Sequence, residues 1–131
     1  MASPASAMRV LLVDDDSIYR NFLRQSLEEL GITDIQEAGE GHAASRLLQR
    51  GAAGMDLIVC DVFMPDMDGM EFLDFLVRQN YRGKLTMVSS ADKMILEVAR
   101  TFAVGSGLQL VGAFPKEALT PALLGAILKF T

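Results

Sequence analysis

The sequence predicts an α/β fold in which a parallel sheet carries helices on both faces. Three observations predict it. Short apolar runs alternate five times with longer stretches of helical period. Several runs are apolar on successive residues, as in Leu57-Ile58-Val59-Cys60, the mark of strands buried on both faces. The connections are short, so each β-then-α unit returns to one sheet through a right-handed crossover.

The strand runs are Met8–Val13, Asp34–Glu37 (the least apolar), Met55–Cys60, Leu85–Val88 and Leu108–Phe114. Helices are expected at Ser17–Leu30, Gly41–Arg50, Gly69–Gln79, Asp92–Val104 and Pro121–Phe130. In the first, Leu23, Leu27 and Leu30 fall on one stripe, with Ile18 and Phe22 along its edge. Asp68 and Glu71 form a capping-box-like start to the third. Thr120-Pro121 reads as an N-cap followed by proline at the first helical position, with Leu119 and Leu124 as a hydrophobic staple. Gly31, Gly51 or Gly54, and Gly105 are the expected helix ends. In the fourth helix, Ile95, Val98, Ala99 and Phe102 read mostly as a core stripe.

At 131 residues, half hydrophobic and 22% charged, the chain has the size and composition of one packed domain. Met1–Ala7 reads as a flexible leader and residues 8–131 as the domain. A net charge of -5 without a basic stripe argues against a sequence-independent grip on nucleic acid. No apolar stretch has the length of a membrane span and no signal-peptide pattern opens the chain, so a cytoplasmic protein is expected. The single cysteine, Cys60, reads as a buried thiol filling strand space. The single histidine, His42, is assigned no role.

In a doubly wound sheet, ligands sit outside the carboxyl ends of the strands, where strand order reverses. The first run ends in Asp14-Asp15-Asp16, the third in Asp61, the fourth in Ser89-Ser90, and the fifth runs on to Lys116. Any one of these is explained by loops being wet. Carboxylates, a hydroxyl and an ammonium converging from separate strands are better explained by chemistry. Clustered carboxylates repel unless a cation joins them, and hard oxygen donors suit Mg²⁺. An Asp carboxylate can attack phosphorus to give an acyl phosphate, while metal and lysine neutralise the phosphoryl oxygens.

Leu11-Leu12-Val13-Asp14-Asp15-Asp16, Asp61-Val62-Phe63-Met64-Pro65-Asp66-Met67-Asp68-Gly69, Val88-Ser89 and Pro115-Lys116 resemble the successive motifs of two-component response-regulator receiver domains. The resemblance runs from about Met8 to Phe130, and the segment opening on Asp61 is its most specific part. It implies a flavodoxin-like (βα)5 sheet of order 2-1-3-4-5 and a switch that is a phosphoacceptor rather than an enzyme. By that resemblance Asp61 takes the phosphoryl group. Asp15 binds Mg²⁺ directly and Asp14 largely through water, with the Phe63 carbonyl completing the protein ligands. Ser89, first after the apolar strand, is the switch hydroxyl, and Lys116 binds the phosphoryl group. Asp16 matches no functional position and reads as helix-terminal. Asp66 and Asp68 read as loop and cap residues, Met64 and Met67 as packing, and Gly69 as backbone relief. Phe63 and Ala91 lie where the family tunes hydrolysis.

The implied partners are a histidine kinase or phosphotransfer protein, and a downstream output domain or protein. The fourth helix, fifth strand and fifth helix are the implied partner surface, and a homodimer is left open. Gly107 to Lys116 is loosely similar to receivers joined to cyclic-di-GMP phosphodiesterase domains.

Two positions depart from the family pattern. Glu117 follows Lys116 where relatives carry proline with a cis bond, and a non-proline cis bond costs about 2.5–4 kcal/mol. A trans Lys116–Glu117 bond is therefore expected. Ala113 stands where many relatives carry an inward-turning aromatic, and the adjacent Phe114 faces the opposite side of the sheet. Two other classes are weighed. An aspartyl-phosphate phosphatase resembling the haloacid-dehalogenase family needs a second Asp where Phe63 stands, and room for a cap domain. A phosphorylation-independent interaction domain has no use for the intact Asp14, Asp15, Asp61, Ser89 and Lys116. Neither acidic cluster has EF-hand spacing.

Overall fold

The computed structural model describes residues 8–50, 54–64, 69–90 and 93–129. Strands β1 (Arg9–Val13), β2 (Asp34–Ala38), β3 (Leu57–Asp61), β4 (Lys84–Ser89) and β5 (Gln109–Pro115) alternate with helices. These are α1 (Ser17–Glu29), α2 (Gly41–Gln49), α3 (Gly69–Arg78), α4 (Lys93–Gly105) and α5 (Pro121–Lys129). All strands pair in parallel, in the expected order β2-β1-β3-β4-β5. The order reverses between β1 and β3, which places the crevice beside the ends of those two strands. The leader 1–7, Gly51, Pro65, Asp66, Met67, Asp68, Ala91, Asp92 and Phe130 lie outside the described residues.

Strand alternation divides the core in two. Val10 and Leu12 of β1, with Leu57 and Val59 of β3, pack under α1 and α5 through Leu23, Leu27, Leu124 and Ile127. Leu11, Val13, Ile58 and Cys60 face α2, α3 and α4 through Ala44, Leu48, Phe72, Leu76, Leu96 and Ala99. Cys60 is buried as expected, and burial together with Asp61 and Asp14 pushes its thiol pKa up.

Caps match the sequence at two starts. Asp16 is the N-cap of α1, its side chain accepting from the Ile18 and Tyr19 amides. Thr120 caps α5 by accepting from the Leu123 amide, with Leu119 and Leu124 both buried. Three helices end alike. In α1, α3 and α4 a residue at positive φ follows the last turn: Gly31, Asn80 and Gly107. Each time the next amide reaches back five residues, Ile32 to Leu27, Tyr81 to Leu76 and Leu108 to Ala103, and both side chains are buried.

Several expectations are corrected. Gly105 is the last residue of α4, and Gly107 makes the turn instead. Gly54 does not close α2, which ends on the cap Arg50; a side chain at Gly54 would meet the Arg9 guanidinium. The buried stripe of α1 is Leu23, Ser26 and Leu27, because Leu30 is the cap and Ile18 is 82% exposed. On α4 the core residues are Leu96, Ala99 and Ala103, with Phe102 packed against them; Ile95 and Val98 face outward. That helix fits its apolar residues around more of its circumference than one stripe can bury.

β5 carries a bulge: Leu85 pairs with Leu110 but Thr86 with Gly112, leaving Val111 as the extra residue. Ala113 then packs toward α4 and Phe114 toward α1 and α5, as expected of neighbours on a strand. A side chain at Gly112 would collide with the Phe114 ring. After β5 the chain makes a 3-10 turn, Lys116–Ala118, which the sequence did not foretell. No cis peptide occurs among the described residues, so Lys116–Glu117 is trans as expected.

Candidate functional site

Each polar strand end is held by the ladder behind it. The Asp14 amide donates to the Ala38 carbonyl at 3.1 Å, continuing β1 beside β2. Asp61 pairs with Val88 in β4, and the Val62 amide donates to the Val88 carbonyl at 3.0 Å. Ser89 is one register step further on and pairs with Pro115, the residue before Lys116. Asp14, Asp61 and Ser89 are buried, whereas Asp15 and Ser90 are exposed.

Lys116 ties the strand ends together. Its Nζ lies 2.8 Å from Asp14 Oδ2, 3.0 Å from Asp14 Oδ1 and 3.1 Å from Asp61 Oδ2. Burial alone would lower the lysine pKa, but hydrogen bonds and charge from both carboxylates outweigh it and raise it. Asp14 Oδ1 also accepts from the Asp16 amide at 2.9 Å, and Asp61 Oδ1 accepts from the Phe63 amide at 2.9 Å. Phe63 itself is 59% exposed, while Met64 beside it is buried packing as expected.

Asp14, Asp15 and Asp61 bring carboxylate oxygens within 4.8 Å of one another. One ammonium against three carboxylates leaves two negative charges in a largely buried space. Asp61 registers this: burial first, then Asp14, raises its pKa from 3.8 to about 6, against the opposing pull of the Phe63 amide and Lys116. Asp14 Oδ2 is buried without a hydrogen bond, its contact with Lys116 being an ion pair only. An under-neutralised set of hard oxygen donors with one unbonded oxygen fits a small divalent cation.

Two residues that the sequence reading left without a role touch this site. The Arg20 guanidinium hydrogen bonds to the Asp14 carbonyl and pairs with Glu37 at 3.0 Å; Arg24 pairs with the same carboxylate. Together the two arginines outweigh burial and hold Glu37 below the usual carboxylate range. Tyr19 donates from its hydroxyl to the Lys116 carbonyl at 3.3 Å, and Lys116 Nζ stands 4.8 Å from its ring centroid. Burial and the Asp14, Asp61 and Glu117 carboxylates push its phenol pKa up, so it stays protonated. The available signal was helical spacing: Tyr19 stands four residues before Leu23, at the strand-end tip of the same stripe.

A doubly wound parallel sheet with buried aspartates and a lysine converging at its switch point defines an α/β domain with a carboxylate-centred site. The family profile of the response regulator receiver domain matches residues 10–123, and the chain belongs to that family, the receiver domains of two-component systems. The chain is 28% identical to the regulator of RpoS from Escherichia coli (strain K12) over 105 residues, 80% of this chain and 30% of that protein. It thus spans about a third of the length of that curated relative. A response regulator from Colwellia psychrerythraea superposes with a TM-score of 0.77 at 28% identity, covering 95% of this chain and 96% of the other. The receiver domain of the Arabidopsis thaliana histidine kinase CKI1, solved with Mg²⁺ and BeF3⁻, gives 0.70 at 26% identity, covering 94% and 88%. No helix among the described residues is long and apolar enough to cross a membrane.

Proposed function

We propose that Asp61 is the phosphoacceptor of a two-component switch, loaded by a histidine kinase or phosphotransfer protein. A carboxylate oxygen of Asp61 forms a bond to phosphorus as the phosphorus–nitrogen bond of the donor phosphohistidine breaks. The imidazole nitrogen leaves with the electron pair and takes a proton from water. The observation that carries this reading is the Lys116 ammonium bridging Asp14 and Asp61 at 2.8–3.1 Å, poised to follow charge onto a phosphoryl oxygen.

Asp14, Asp15, Asp61 and the Phe63 carbonyl would hold Mg²⁺, as the CKI1 receiver domain was solved with that ion and a beryllofluoride. The ion supplies positive charge to the equatorial phosphoryl oxygens. Ser89, buried beside the Asp61 level of β4, donates its hydroxyl to the arriving phosphoryl group. The output is a population shift that alters the surface of α4, β5 and α5, read by a downstream domain, protein or second copy. The domain works as a phosphoacceptor rather than a turnover enzyme, and in the cytoplasm, where its one buried thiol stays reduced.

Incubation with Mg²⁺ and acetyl phosphate, followed by intact-mass analysis, tests the reading. One added phosphoryl group is expected, absent in Asp61→Asn. No adduct from any donor favours a phosphorylation-independent interaction domain, and sustained turnover of varied phosphomonoesters favours a phosphatase.

A further inference from the structure

Lys116 is contacted twice by one residue. Tyr19 is the third residue of α1, and its amide is fixed by the Asp16 cap at 3.2 Å. The cap directly follows the Asp14-Asp15 pair, so the chain that delivers the carboxylates also aims this ring at the lysine. One ring face stands 4.8 Å from the Lys116 ammonium, which also meets Asp14 and Asp61. The hydroxyl bonds the Lys116 carbonyl, at the junction of β5 and the 3-10 turn. Phe22, at 5.7 Å between centroids, braces the ring from its own helix.

A lysine stem is long and has many rotamers, so two carboxylates alone do not fix where its ammonium points. An aromatic face adds a third attraction on the cation, and the hydroxyl fixes the backbone from which the stem departs. We propose that Tyr19 is a positioning residue: it holds Lys116, through ring and hydroxyl, in the place from which the ammonium meets a phosphoryl group on Asp61. The inference rests on the phosphoacceptor reading of Asp61.

The test uses the full chain with Tyr19→Leu, which removes both contacts, and Tyr19→Phe, which keeps the ring. With acetyl phosphate and saturating Mg²⁺, Tyr19→Leu lowers the maximal rate of Asp61 phosphorylation about tenfold, the scale of a desolvated cation–aromatic contact. The donor concentration at half-maximal rate stays unchanged, and Tyr19→Phe falls between. In a Lys116→Ala background, Tyr19→Leu has no further effect, because the residue it positions is gone. In the Mg²⁺-free protein the Lys116 Cε proton resonance is shifted upfield by the ring, in wild type and Tyr19→Phe, and returns toward its ordinary position in Tyr19→Leu. Additive slowing in the double variant, or an unshifted lysine resonance in wild type, overturns the inference. So does an unchanged Tyr19→Leu rate when wild type is phosphorylated and Lys116→Ala is slow. If wild type itself takes up no phosphoryl group, the reading of Asp61 falls and the positioning role falls with it.

Discussion

The two rims of the sheet are both polar, but they handle charge in opposite ways. At the amino rim, the strand starts are tied by one exposed ion pair and by hydrogen bonds that involve the backbone. Arg9 pairs with Asp34 at 3.2 Å, the Arg9 amide donates to Asp56 at 2.8 Å, and the Tyr81 hydroxyl donates to the Lys84 carbonyl at 2.8 Å. At the carboxyl rim, three carboxylates cluster, and the one lysine among them pairs with the two that are buried. The amino rim gathers no such cluster of carboxylates among the described residues, and its contacts contribute to the frame. The carboxyl rim is short of positive charge by design of its residues, and that shortage is what a cation and a phosphoryl group can exploit.

The largest effect that tests this contrast is on the stability of the Mg²⁺-free protein. The folded pKa of Asp61, about 6, lies above the ordinary 3.8 of the unfolded chain, so the native state holds the extra proton between those values. Wild-type stability therefore falls as pH rises through that window, and above it the fold carries the whole penalty. Asp61→Asn removes it, and in denaturant titrations at pH 7 should gain about 2–3 kcal/mol. Added Mg²⁺ should narrow the gap by stabilising wild type. A gain independent of pH would mean that the carboxyl rim is already balanced.

Next comes Ser89→Ala, which should leave Asp61 phosphorylation in place and weaken the structural response. Loss of one hydrogen bond to the phosphoryl group shifts the two-state equilibrium about tenfold, readable as hydrogen exchange in α4 and β5 with and without phosphodonor. If Ser90→Ala gave that result instead, the switch position would move by one residue.

A smaller effect lies between the rims. Thr86 Oγ1 is buried in β4 without a hydrogen-bond partner. Thr86→Val should stabilise the fold by about 1 kcal/mol in chemical denaturation, since an unsatisfied hydroxyl becomes a methyl of the same shape. A loss of stability would show the hydroxyl to be satisfied.

The smallest is at the amino rim itself. A double-mutant cycle on Arg9→Ala and Asp34→Ala should give a coupling below about 1 kcal/mol that shrinks with salt, because both side chains are exposed. Phosphoryl uptake should not change; slowing would mean that the rims are coupled through β1.

What the sequence disclosed follows from the range of the forces involved. Apolar runs such as Leu57–Cys60 and the Thr120-Pro121 cap are local signals, and they located the sheet and the start of α5. Asp14, Asp61, Ser89 and Lys116 were legible because they close apolar runs, and because the segment after Asp61 resembles a known family. Tyr19 was hidden because its partner is 97 residues away, and an aromatic above Leu23 reads equally well as core. The outward Ile95 and Val98 were misplaced because their spacing fits a stripe, and only the position of the sheet decides which stripe is inside. Asn80 and Gly107 were passed over as helix ends, although Asn and Gly are the residues that accept a left-handed turn most readily. The 3-10 turn after β5 is closed by a backbone bond from Leu119 to the Lys116 carbonyl, and no side-chain pattern in the sequence marks it.

The shared endings of α1, α3 and α4 have a consequence for how such a chain can diversify. Each is closed by backbone bonds and a buried contact two residues beyond its last turn, and each delivers the chain to the amino rim. None of these closures uses a residue of the carboxyl rim. Substitutions, insertions and altered loop lengths beside Asp15, Phe63 or Ser90 therefore leave the scaffold's stops untouched. Lineages carrying this domain are free to retune specificity at one end while the other end keeps the architecture in register.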